Sequence, residues 1–136
     1  MKYDYSKEYT QKCRELCNKL CLDHVDKNRI SVIISNGTKT RRVIARIHTL
    51  SKSLQLGMNE RPFYVIELIT EKFFKANEEE QTKTLIHELL HIPHNFGGGF
   101  RHHKPHVNNR TVEEHYKKLK ETENQEDLEV APEKLH

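Results

Sequence analysis

The 136-residue chain has no apolar run approaching the length of a membrane span. Its amino terminus, MKYDYSKEYT, lacks the apolar core of an export signal. Neither membrane insertion nor export is expected, and a cytoplasmic location is. An excess of one charge is also missing: 23 Lys and Arg oppose 20 Asp and Glu, leaving a formal net charge of +3. With the signs interspersed, no long basic stripe argues for a nucleic-acid partner. Lys39, Arg41, Arg42 and Arg46 do cluster, and they read as a solvated sheet face ahead of an anion-binding site. Cysteine is scarce, with three residues at 13, 17 and 21. An odd count without an export signal excludes a disulfide framework, and C-x3-C-x3-C matches no familiar zinc or cluster spacing. Spacing of four instead puts these thiols on one helix face as small hydrophobes. No internal repeat is evident, and the length allows one domain with a modest core.

Helical periodicity appears first over residues 6–25, where Tyr9, Cys13, Leu16, Cys17, Leu20 and Val25 recur between charged positions. The β-branched runs 30–35 and 43–48 flank Asn36-Gly37, a turn signal, and are expected to pair as an antiparallel hairpin. Residues 51–62 form a connection with some local order. FYVIELI, 63–69, is the most strand-like segment and belongs at or near the centre of the sheet. Asn77 is an N-cap, with Glu80 three residues on and acidic residues at 78–80 facing the positive end of the next helix. Pro93 should stop that helix near Ile92. The three glycines at 97–99 then allow a sharp return. A closing helix is expected over 111–121, with Val112, Tyr116 and Leu119 on one side. The fold class is therefore α+β, with an N-terminal helix, a small three-stranded sheet, mixed or antiparallel, and two later helices. One domain is assigned to 1–121, with a polar, flexible tail over 122–136.

Residues 84–106, TLIHELLHIPHNFGGGFRHHKPH, gather six histidines. His87-Glu88-Leu89-Leu90-His91 is an H-E-x-x-H pattern on the helix that Asn77 opens. At about 100° per residue, Leu85, Ile86, Leu89, Leu90 and Ile92 fill an arc of roughly 160°, and His87, His91 and Glu88 lie immediately beside it. One face can dock into the core while the next presents two imidazoles one turn apart. That arrangement suits two ligands of a tetrahedral zinc, with Glu88 reaching the water on the metal. A polar surface helix carrying two histidines is the bland alternative, and the capping, the apolar phase and the His-rich return favour the metal site. Catalysis needs a third protein ligand. His94, His102, His103, His106, His115, Glu113 and Glu114 are all candidates, and spacing alone does not choose between His102 and His103.

Over most of residues 10–120 the chain resembles the phage metallopeptidases, a compact zincin-like group. The likeness rests on the basic turn between the first two strands, Glu71-Lys72-Phe73 and the helix LIHELLHIP. It continues through Phe96 with Gly97, Gly98 and Gly99, and through Val107-Asn108. The resemblance implies a zincin-like domain and favours His103 as the third ligand beside His87 and His91. It supplies no substrate. No Gly-x-x-His follows the second histidine as in metzincins, and no thermolysin-style downstream glutamate is plainly placed.

The activity implied is zinc-dependent hydrolysis of a peptide or protein, with Glu88 as general base. Arg101, His102, His106 and Tyr116 are candidate donors to the oxyanion, and a sheet edge could hold the peptide as an added strand. The rival is a zinc-binding, protease-like interaction module without turnover, associated with nucleic-acid complexes. Glu88 argues against it, because a structural zinc site is closed by a fourth ligand and needs no carboxylate beside a water.

Overall fold

The computed structural model describes residues 1–38, 42–103 and 106–134, with side chains described as far as 127. Its elements in chain order are β1 (Lys2–Tyr5), α1 (Lys7–Lys19), a 3-10 turn (Lys27–Arg29), β2 (Ile30–Asn36) and β3 (Ala45–Thr49). There follow α2 (Lys52–Met58), β4 (Tyr64–Ile69), α3 (Thr70–Phe73), α4 (Glu78–Leu90) and α5 (Asn109–Lys134). The fold is α+β. None of the helices among the described residues is long and apolar enough to cross a membrane.

Among the described residues the sheet has four strands in the order β1-β2-β4-β3, one more than the sequence suggested. The addition is β1, a fully exposed strand antiparallel to β2. The expected β2–β3 hairpin does not form. Instead β4 lies between them, parallel to β2 with Ile30 opposite Tyr64, and antiparallel to β3 with Ala45 opposite Leu68. Burial explains this order. β4 is the most apolar strand and buries nearly every side chain, so it gains most from a neighbour on each side. Its central place agrees with the sequence. Of the basic cluster on the β2–β3 connection, Lys39 and Arg41 lie outside the described residues.

Alternation along the strands turns Ile30, Val32, Tyr64, Ile66 and Leu68 toward the helices. There they join Cys13, Leu16, Cys17 and Leu20 from the first helix region and Ile86 and Leu89 from α4 in one core. Cys13 and Cys17 are buried as expected. Cys21 is exposed beyond the helix end, at φ 54°, because the chain has already left the helical path. The closing helix is longer than its apolar periodicity suggested, running Asn109–Lys134. Asn108 opens it: its Oδ1 accepts from the Thr111 amide, while its own amide donates to Thr111 Oγ1. Val112 and Leu119 are buried from this helix, and Tyr116 packs against the core.

A glycine turn fastens the return loop to the sheet. The buried Tyr64 hydroxyl accepts from the Gly98 amide at 2.9 Å and donates to the Gly99 carbonyl at 2.8 Å. Gln55 of α2 donates through Nε2 to the carbonyls of Leu50 and Gly97. Gly98 has φ +99°, and a Cβ there would lie 2.3 Å from Gln55 Nε2 and 2.7 Å from the Leu50 carbonyl oxygen. Both the backbone and the space require glycine. Gly98→Ala should therefore lower stability by about 2 kcal/mol or more, from left-handed strain plus displacement of Gln55. Urea denaturation measures this, and an unchanged midpoint would remove the turn from the account.

Candidate metal centre

Helix α4 starts at the side-chain cap from Asn77, whose Oδ1 accepts from the Glu80 amide at 2.9 Å. Leu85, Ile86, Leu89 and Leu90 are buried, so the helix is held by its apolar arc with His87 and His91 on the flank. Regular helix ends at Leu90, three residues before Pro93, and His91 is its C-cap. At that cap the chain meets its own return. The Arg101 amide donates to the His91 carbonyl, and the His91 ring Nδ1 donates to the Arg101 carbonyl, each at 2.8 Å. A carbonyl only accepts, so Nδ1 carries the proton and Nε2 keeps its lone pair for a ligand. This contact fixes the tautomer of His91 and delivers the chain to His103.

His87, His91 and His103 converge, each offering a ligand atom within 4.8 Å of the others. Their ring centroids lie 5.1 Å (His87–His91), 5.4 Å (His87–His103) and 4.7 Å (His91–His103) apart. Nitrogens bound at about 2.1 Å on a tetrahedral ion lie roughly 3.4 Å apart, a contraction that small ring rotations accommodate. These three could hold a metal ion. Burial also favours, at His87 and His91, the neutral form that metals require. Desolvation, then the charges of His91 and His103, lowers the His87 pKa to about 4, and desolvation lowers that of His91.

Of the other candidates, all but His102 are engaged elsewhere. His94 stacks on His24 at 4.4 Å and accepts from Arg101 through Nε2 at 3.2 Å. His106 Nδ1 accepts from the other Arg101 terminal nitrogen. His115 Nδ1 donates to the Thr111 carbonyl at 2.7 Å. Glu113 pairs with Lys83 at 2.7 Å and Glu114 with Arg110 at 3.2 Å. His102 is exposed on the cleft wall, with no hydrogen bond among the described residues.

The three histidines open into a cleft of about 910 Å³ between α4, the return loop and β3. Its walls include Ile44, Ala45 and Ile47 from the edge-strand side, and Phe100 and Arg101 from the loop. Glu88 lies in the same cleft, 7% exposed, without a hydrogen-bond partner among the described residues. Burial alone pushes its carboxyl up to about 7. Of the oxyanion donors considered from sequence, Arg101 and His102 line the cleft, while His106 and Tyr116 do not.

The profile of the family described as "Putative phage metallopeptidase" matches residues 1–131. The chain belongs to this family. No curated protein and no solved structure matches it. A metallopeptidase fold calls for a metal, and the three convergent histidines are the group among the described residues that could hold one. Sequence reasoning missed the anchors of the return loop, Tyr64 and Gln55. A tyrosine at a core-facing position of a buried strand was the available signal, since its hydroxyl must find a partner.

Two outcomes follow from the centre. His103→Ala should weaken metal binding on the order of 100-fold or more, and His102→Ala should leave it near the parent value. Titration against a competing chelator decides, and the reverse order would mean that the loop register differs. In the metal-free chain, an NMR titration should find the His87 midpoint near 4. An unfolded histidine binds its proton near pH 6.5, so the metal-free fold should lose stability as pH falls from about 6.5 toward 4. A His87 midpoint at or above 6.5 would contradict the burial.

Proposed function

We propose that the chain is a zinc-dependent metallopeptidase in which His87, His91 and His103 bind the metal and Glu88 is the general base. The observation that carries this reading is the convergence of three imidazoles beside a buried, unpartnered carboxylate in one open cleft. Three neutral imidazoles are a donor set that suits zinc, and the open side leaves a fourth position free. When bound, zinc supplies Lewis acidity that eases deprotonation of a water and polarises a carbonyl. Glu88 accepts the proton from the attacking water at its carboxylate oxygen as the new carbon–oxygen bond forms. It then returns that proton to the departing amine as the carbon–nitrogen bond breaks.

Burial poises Glu88 for this work in the metal-free chain, and a nearby dication would draw its pKa back down. The substrate is a peptide or protein in extended form. β3 is an edge strand, and its free edge borders the cleft, where a peptide can add as a further strand. Arg101 holds His94 and His106, which leaves His102 as the donor in this cleft best placed to meet a developing oxyanion.

Glu88→Gln tests the assignment, because it removes the proton acceptor and little else. Zinc content and thermal midpoint should match the parent, and turnover of a library peptide should fall on the order of 10²- to 10⁴-fold. Equal turnover would refute the role of Glu88. Zinc binding by a parent that cleaves no library peptide would transfer support to a binding module without turnover.

A further inference from the structure

On the face of the sheet turned away from the helices, one carboxylate joins three strands. Glu67 of β4 is 3% exposed. Its Oε2 accepts from Ser35 Oγ of β2 at 2.7 Å, and its Oε1 accepts from His48 Nε2 of β3 at 2.8 Å. Arg46 Nε, also of β3, lies 3.6 Å from the same Oε1. Burial alone would raise this carboxyl, but the bonds from Ser35 and His48 and the charge of Arg46 outweigh it and hold the pKa below the ordinary value. Ser35, His48 and Glu67 do not line the metal cleft, whereas Arg46, at the edge of the sheet, also borders it.

The connection runs through β3. The Leu50 amide donates to the Phe63 carbonyl and the Ile69 amide to the Ile44 carbonyl, both across the β3–β4 boundary. An antiparallel ladder alternates, so the backbone groups of Arg46 and His48 also bond to β4, and those of Ala45 and Ile47 point to the free edge. Ala45 and Ile47 line the cleft. Glu67 therefore grips the side chains of the two β3 residues whose backbones tie the edge strand to the sheet. An edge strand with a neighbour on one side only is the least constrained wall of the cleft, and this grip compensates for the missing neighbour.

We propose that Glu67 is a positioning residue that fixes edge strand β3, through Arg46 and His48, in the register an extended peptide must meet in the cleft. The substrate half of this inference rests on the metallopeptidase reading, and the anchoring half does not.

Hydrogen exchange on the whole 136-residue chain tests the anchoring. In Glu67→Gln the amides of Arg46 and His48 should exchange about tenfold faster than in the parent, with those in β2 unchanged. Ser35→Ala, which cuts the link to β2 only, should leave the β3 amides within about twofold of the parent. Should Glu67→Gln fail to fold, His48→Ala removes one grip from the exposed flank and should accelerate the same amides. Uniform acceleration over the sheet, or no change at β3, would overturn the proposal by reducing Glu67 to a general stabiliser.

The kinetic arm uses the best-cleaved peptide of a quenched-fluorescence library. Glu67→Gln should raise KM about fivefold with kcat within about twofold and zinc content unchanged, unlike Glu88→Gln, which strikes kcat. An unchanged KM overturns the positioning role. If the parent cleaves no library peptide, the metallopeptidase reading fails, and the exchange data still decide whether Glu67 anchors β3.

Discussion

The paired hydrogen bonds between His91 and Arg101 are the contact on which the centre depends. One joins backbone to backbone and the other joins a ring to a backbone carbonyl, so a single residue pair closes the loop and sets a tautomer. Tyr64 and Gln55 tie the glycines to the sheet, and this pair ties the next residues of the loop to the end of α4, from where the chain reaches His103. Arg101 reinforces the closure with its side chain, which holds His94 on one side of the glycines and His106 on the other. The same guanidinium is thereby occupied with structure.

Around that contact, the centre is shaped by selective desolvation. The apolar arc of α4 draws the neighbouring face partly out of water, which keeps His87 and His91 neutral and leaves Glu88 without a counter-charge. A buried, unpaired carboxylate is costly to keep ionised in a metal-free protein, and a nearby dication would offset that cost. On the opposite side of the sheet, Glu67 shows the contrasting arrangement, a buried carboxylate with its partners built in. The two glutamates differ in surroundings more than in depth. One has its partners in place, while the other has none among the described residues.

Much of α4 was legible because its signals are local. The Asn77 cap, the phase of Leu85, Ile86 and Leu89, and the flank occupied by His87, Glu88 and His91 follow from helix geometry within a few turns. β1 was missed because Lys2–Tyr5 carries no apolar face, and its strand character comes from pairing with β2. The β2–β3 hairpin misread a local turn signal, because Asn36-Gly37 can serve any reversal. Whether two flanking strands pair depends on a third segment, and here β4 outcompetes them for the central place.

The sequence by itself determined the fold class, the capped helix, the two imidazoles one turn apart and the carboxylate beside them. Each depends on residues within a few positions of one another, where backbone geometry leaves little choice. Tertiary structure decided which distant groups meet: His103 with the helix, β4 between β2 and β3, and Glu67 with Ser35, Arg46 and His48. Loop closure at Gly98 and His91 brings His103 to His87 and His91, while its neighbour His102 stays on the wall of the same cleft. Residue spacing carries no record of that choice.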